Sequence, residues 1–224
     1  MTVDDSPRPG LSAERVGMFT DAIFAIAITL LALEIPRPEE PEQLADLGHF
    51  LSEHSGAFAG FALAFLMLWF NWRAHHTLFD QLARVSQTVL AVHIPLLLFS
   101  AFLPYTTGLL YSGSLPPDAR SIALAMFGGT EAVLMLCQGL LYTLTLKQGL
   151  YAVGANTARM GTAAAINWGI GILWALSAML ASPLGDNTTL LWLATPLVVV
   201  AILYGMRVWR GREGERASLH GGTP

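Results

Sequence analysis

Six stretches of about 20 mostly apolar residues, separated by short polar segments, occupy the chain from Ser12 to Trp209. Each is long enough to cross the hydrocarbon core of a bilayer, which is about 30 Å thick. In lipid the backbone has to satisfy its own hydrogen bonds, so runs of this length specify helices. The expected fold is therefore an all-α integral membrane bundle. Composition points the same way: of 224 residues, 54% are hydrophobic and 12% are charged, against about 25% charged in an ordinary soluble domain. The polar start of the chain has no basic segment or small-residue cleavage site, so the first span is read as retained.

The spans are predicted at Ser12–Ile35, Ser55–Leu78, Val85–Tyr111, Arg120–Leu146, Arg159–Ala181 and Thr189–Trp209. Ser12 or Glu14 suits the first N-terminal turn, and Pro36 and Pro38 close that span. Pro95 and Pro104 predict a kink in the third. Three regions follow: a tail over 1–11, a six-helix unit over 12–209, and a frayed tail over 210–224. Cytoplasmic loops collect Lys and Arg. One side would carry Arg8, Arg15, Arg73, Arg84, Lys147, Arg159, Arg207, Arg210, Arg212 and Arg216, and the other only Arg37 and Arg120. Both termini are thus expected in the cytoplasm of a multi-pass cell-membrane protein. The far side gathers Glu39, Glu40, Glu42, Asp46 and Asp186, which could concentrate cations or simply keep that surface soluble. Gly56 and Gly60 form a GxxxG pair; close packing within one subunit is the favoured reading over an oligomer contact.

Ionisable groups inside a span are costly, about 2.5 to 3.5 kcal/mol at mid-span, so each needs a reason. Glu34 and Arg15 fall at the two boundaries of the first span, where water reaches them. Asp21 lies deeper. At about 100° per residue, Ile26, Thr29, Leu30 and Leu33 form one narrow stripe, while Asp21 points about 140° from Ile26, toward neighbouring helices. The second span ends in Asn71, Trp72, Arg73, Ala74, His75 and His76, which offers donors to a buried carboxylate. The i+3 and i+4 spacings put His75 on one face with Trp72 and Asn71, and His76 is read as exposed. Arg15 falls within about 20° of Ile26, so either its side chain folds back to an acid or the helix is not straight.

The run R-V-G-M-F-T-D from Arg15 to Asp21, with the apolar stretch Ala22 to Leu33 and the sequence W-R-A-H-H-T-L-F from Trp72 to Phe79, resembles the Arg-x-x-x-Phe-Ser-Asp signature of the transmembrane protein 175 family. These are the lysosomal potassium channels and their bacterial relatives. A single six-helix unit resembles the bacterial branch, since animal members join two in one chain. The resemblance implies a homotetramer with four copies of the first helix around a pore. It also implies a hydrophobic gate at Ile26, continued by Leu30 and Leu33, and a hydroxyl layer at Thr29 that favours potassium. Arg15, Phe19, Thr20, Asp21, Asn71, Trp72 and His75 match the network that holds the pore helix, with Thr20 standing where serine is usual. Potassium is then the permeant ion. The expected partners are the bilayer and other copies of the chain, with no cofactor, no resident metal and no nucleic acid.

No Thr-Val-Gly-Tyr-Gly carbonyl filter occurs, so modest selectivity from other groups is expected. Asp21, the His75–His76 pair and Glu131 in the fourth span leave a second reading open, a proton-conducting channel or proton-coupled transporter. An intramembrane enzyme is the weakest reading. The H-E-x-x-H, G-x-S-x-G and phosphate-loop patterns are missing, and the adjacent histidines His75 and His76 do not share a face for a metal site with Asp80.

Overall fold

Chain entry into the first membrane helix is set by Ser12, whose hydroxyl accepts from the Arg15 backbone N–H at 3.3 Å and so satisfies one of the free donors of the first turn. In this computed structural model residues 12–111 and 115–220 are described, with side chains up to 208. Arg8 and the side chains of Arg210, Arg212 and Arg216 lie outside the described residues. Helix α1 runs from Ala13 to Leu30 and tightens into a 3-10 turn over Leu31–Glu34 before Pro36 and Pro38. Two short helices follow, α2 (Pro41–Ala45) and α3 (Leu47–Glu53). The long helices are α4 (Ser55–Phe79), α5 (Gln87–Leu110), α6 (Pro117–Lys147) and α7 (Thr157–Met179). They match the predicted second to fifth spans to within three residues. Both Pro95 and Pro104 sit inside α5, which runs unbroken through them.

The sixth predicted span is different. Instead of one helix from Thr189 to Trp209, the chain forms α8 (Ala181–Leu184), α9 (Thr188–Trp192) and α10 (Thr195–His220). The segments Ala181–Trp192 and Thr195–Val208 meet at 59°; among the described residues five helices are long and apolar enough to cross a membrane, or six if this bent pair is one broken span. Pro196 explains the restart: it lacks an N–H and its ring opposes the preceding turn, so it is tolerated where a helix begins and not inside one. Gly185 turns the chain with φ of 52°, a left-handed conformation that favours glycine. The backbone of α10 also continues helically past Trp209 to His220, where the sequence reading placed a frayed tail.

Helix α6 is the centre of the subunit. Its apolar window is 67% buried, while that of α1 is only 22% buried. Helix α6 packs chiefly on α7 and α5, whereas α1 rests on α5 and α4 at the periphery. The bent pair is tied to this centre by aromatic packing. Trp174 of α7 stacks on Trp192 of α9 with centroids 5.0 Å apart, Phe127 of α6 joins both, and Trp192 Nε1 donates to Ser177 Oγ at 3.0 Å. Such rings bury large apolar area and fix mutual geometry.

The two ends of the bundle are each sewn together. At one end the α4–α5 and α6–α7 links pair as a short antiparallel bridge, with Ala83 N–H donating to Leu150 and Ala152 N–H to Gln81, both at 2.8 Å. At the other, Arg120 at the start of α6 donates to Asp186 at 2.7 Å and to the carbonyl of Leu110 at the end of α5. The glycines act inside the subunit: a Cβ at Gly60 would strike the Tyr111 ring, whereas Gly129 has open space around it.

Gly60→Val should therefore overpack the α4–α5 contact and cost about 1 to 3 kcal/mol, read as a lower melting temperature in detergent. Gly129→Ala, which meets no neighbour, should leave the melting temperature unchanged or slightly raised.

Candidate functional site

The buried side of α1 is the stripe Val16, Thr20, Phe24, Ala27 and Leu31, recurring at three and four residues as a helix packed on one side requires. The opposite side carries the predicted pore residues. Ile26 is 59% exposed, Leu33 61% and Leu30 39%, and Thr29 is exposed with them. Among the described residues of one subunit this line is left largely uncovered, Leu30 being its most enclosed member. Thr29 Oγ1 donates its proton to the carbonyl of Ile26 at 2.8 Å, which leaves the oxygen lone pairs as the outward-facing feature of that hydroxyl. Phe19 is exposed on α1 as well. Thr20 turns inward, fully buried, and its hydroxyl donates to the Val16 carbonyl at 2.9 Å.

Asp21 sits on the flank of the buried side and receives the indole N–H of Trp72 at 2.9 Å. The His76 ring stacks on Trp72 and brings Nδ1 to 3.8 Å from the second Asp21 oxygen, while its Nε2 lies 3.6 Å from Asp80. His76 keeps a half-exposed side chain while doing so. Asn71 and His75 are elsewhere. Both are buried; Asn71 Nδ2 donates to the Met67 carbonyl at 3.3 Å and lies 4.0 Å from Met135 Sδ of α6. His75 pairs with His93 of α5, Nε2 to Nε2 at 3.0 Å, and stacks on Phe79. Of the predicted network, the structure thus joins Asp21 to Trp72 and separates both from Asn71 and His75.

Arg15 is exposed one turn inside the helix start and makes no ion pair among the described residues. Glu34, at the far end of α1, lies directly on Gly108 of α5. With Arg37, Glu39 and Tyr111 it lines an open recess of about 460 Å³. Burial beside this recess pushes the Tyr111 phenol above its ordinary range, partly offset by the nearby Arg120 cation. Glu131 is completely buried in α6. Among the described residues no cluster of three or more His, Cys, Asp or Glu side chains is arranged to hold a metal ion.

Three contributors escape the sequence reading. His93 is an ionisable residue in the third span, and the rule that singled out Asp21 would have flagged it. Gln138 and Tyr142 share the inward face of α6 with Glu131 and bond to the backbone of α4 at Asn71 and Ala74; only the tertiary pairing of α6 with α4 reveals them.

Comparison with known proteins gives a consistent result. Residues 15–104 match the family described as endosomal/lysosomal potassium channel TMEM175. A protein named potassium channel from Streptomyces collinus is 32% identical over 115 residues, covering 50% of this chain and 54% of that protein. Another from Chamaesiphon minutus is 32% identical over 117 residues, covering 51% and 57%. The rat protein named endosomal/lysosomal proton channel TMEM175 is 37% identical over 105 residues, 42% of this chain and 20% of the rat chain. The chain spans little more than half the length of the bacterial relatives it matches. Its fold is similar to the crystal structure titled a lysosomal potassium-selective channel TMEM175 homolog from Chamaesiphon minutus. The TM-score is 0.62, with 24% identity and coverage of 86% of this chain and 95% of that one.

The Asp21–Trp72 contact is testable by a double-mutant cycle. Asp21→Ala and Trp72→Phe should be non-additive in unfolding free energy by about 0.5 to 3 kcal/mol, the range for directly bonded residues; additive effects would show that the bond carries no stability.

Proposed function

From the match of residues 15–104 to the TMEM175 family model, we propose that the chain is a member of this family and a cation channel that passes potassium along α1. The observation that carries this reading is the one-sided exposure of α1. A membrane helix with Val16, Thr20, Phe24, Ala27 and Leu31 packed inward and Ile26, Thr29, Leu30 and Leu33 left uncovered has a face for either lipid or copies of itself. Lipid alone would not call for a hydroxyl oxygen at Thr29 in that face. Relatives at half the chain's extent are named potassium channels, and neither the family nor the structural neighbour is an enzyme.

In the proposed assembly four subunits surround a central line to which each contributes its α1. Ile26 forms the narrowest ring, and Leu30 and Leu33 continue it. A ring of isoleucine side chains too narrow for hydrated ions closes by shedding water, and it opens when the helices rotate or spread. Thr29, its proton already given to Ile26, presents oxygen lone pairs to a cation. Four such oxygens replace only part of an ion's hydration, so potassium is preferred over sodium modestly. Asp21, held by Trp72, braces α1 from behind and sets how easily it turns. Arg15 lies about 16 Å below Ile26 along the helix axis, which places its cation at the inner membrane surface, in reach of water. Both termini face the cytoplasm in this arrangement, because Arg73, Arg84, Lys147 and Arg159 gather at that end.

A second reading, proton conduction, is favoured by one observation: a relative matching over 105 residues is named a proton channel. Reconstitution separates the two. In liposomes with potassium, sodium and proton gradients imposed in turn, the leading reading expects potassium flux above sodium flux. Ile26→Ala and Ile26→Asn should raise flux by about tenfold, equivalent to about 1.4 kcal/mol off the barrier; unchanged flux in both removes the gate from Ile26. Thr29→Ala should bring sodium flux up toward that of potassium. Crosslinking in membranes should reach tetramers, and a ladder ending at dimers contradicts the four-fold pore.

A further inference from the structure

The interior of the subunit holds a second polar feature, away from the exposed side of α1. Helix α6 turns Glu131, Met135, Gln138 and Tyr142 inward, spaced i, i+4, i+7 and i+11 on one face. Three of these meet α4: Met135 beside the Asn71 amide, Gln138 Nε2 donating to the Asn71 carbonyl at 3.5 Å, and Tyr142 donating to the Ala74 carbonyl at 2.8 Å. Glu131 is the next step outward on the same face. It is fully buried, and no described donor reaches either of its carboxyl oxygens.

The hydrogen-bond polarity around it can be assigned. His93 Nδ1 lies 2.7 Å from the Val89 carbonyl, an acceptor, so in the neutral ring Nδ1 carries the proton and Nε2 accepts. His75 Nε2 must then donate across the 3.0 Å contact, which leaves His75 Nδ1 as a bare acceptor. That atom is buried without a partner, and so are Asn71 Oδ1 and Gln138 Oε1, whose amide nitrogens already face carbonyls. Three acceptors and a carboxyl group therefore share the membrane interior, against only two unpartnered donors on α6 and α7, the Trp174 indole N–H and the Thr145 hydroxyl. Buried acceptors need donors; two donors cannot serve three acceptors and both carboxyl oxygens, and water and a carboxylic O–H are the groups able to supply the rest. No described Lys or Arg pairs with Glu131 to hold it ionised.

We propose that water occupies the space between α4, α5 and α6, and that Glu131 is a protonated acid there, exchanging its proton with the inner aqueous phase past His75 and His93. This is a proton-binding site inside each subunit, separate from the line of Ile26, Thr29, Leu30 and Leu33. Seven residues separate Glu131 from Gln138, about 10 Å along the helix, a gap that water bridges and a direct bond cannot. In exchange, the Glu131 O–H bond breaks as the proton passes to water and re-forms from another water, so no net charge stays behind. The titratable groups facing this space are His75 of α4, His93 of α5 and Tyr142 of α6. His76 and Asp80 lie at the exposed end of α4, Asp21 of α1 is engaged by Trp72, and Arg159 at the start of α7 acts on Tyr142. Helix α7 otherwise brings Asn167 and Trp174, which do not titrate. The proposal rests on the membrane-spanning reading and not on which ion passes along α1.

Infrared spectra of the full chain in lipid bilayers test it. The wild-type protein should show a carbonyl band of a protonated carboxylic acid, lost in Glu131→Gln, displaced in Glu131→Asp, and shifted downward when the buffer is exchanged for deuterium oxide. His75→Phe should slow that isotope shift. Absence of the band, its persistence in Glu131→Gln, or a wild-type band that does not shift in deuterium oxide would each overturn the proposal. If Glu131→Gln does not fold, the displacement in Glu131→Asp makes the assignment and an undisplaced band overturns it. Potassium flux in the same vesicles is read separately, so an Ile26 series without effect removes the pore reading and leaves the proton site standing.

Discussion

The hydrogen bond from Trp72 to Asp21 decides which way α1 faces. Of the five helices long and apolar enough to span by themselves, α1 is the least enclosed, so its own packing holds it loosely. Its buried stripe is centred about 120° from Ile26 on the helical wheel, and Asp21 lies on the far flank of that stripe. An acid at this depth needs a donor, and the indole N–H at 2.9 Å supplies it. Rotating α1 by one residue step would swing Asp21 about 100° toward lipid and bury Ile26 or Leu30 against the bundle. The polar bond and the apolar stripe therefore oppose rotation together, and the outward line of Ile26, Thr29, Leu30 and Leu33 is what they leave uncovered.

Much of this was legible in the sequence because two simple periodicities govern it. Span length fixed five of the helices, and the 100° step separated Asp21 from Ile26 before any neighbour was known. The partners of Asp21 were harder. Asn71, Trp72 and His75 share one side of α4, but that side spans about 100°, wide enough to touch more than one neighbour. Trp72 at one edge faces α1, while Asn71 and His75, about 40° apart, face α6 and α5. A spacing rule groups residues by side and cannot say how many neighbours that side meets. His76, read as merely exposed, is half exposed and also approaches Asp21, because stacking on Trp72 steers its ring inward.

The broken sixth span failed for a different reason. Hydropathy from Thr189 to Trp209 is continuous, and an average over such a window does not see a missing N–H at Pro196. The break was nonetheless written locally, in Thr195-Pro196 and in Gly185. Its tolerance is a matter of packing: Trp174, Trp192 and Phe127 cluster where the bent pair meets α6 and α7, and they hold in place a geometry that an isolated helix would straighten.

The subunit thus divides its polar groups by what water can reach. From Ile26 to Leu33 the outward line of α1 is apolar except for the Thr29 hydroxyl, whose proton is already spent on its own backbone. The groups facing inward between α4, α5 and α6 are acceptors in excess, with one acid among them. These are opposite demands on the same solvent. A narrow apolar ring expels water, so ions pass only when the ring widens, whereas an acceptor-rich interior draws water in and keeps it. A proton can move through hydrogen-bonded water that is too confined for potassium, since it transfers between molecules without carrying a hydration shell. On the proposed reading, separation of the two cations needs no filter loop: the dry line lies on the outward side of α1, and the wet space lies behind it, among α4, α5 and α6.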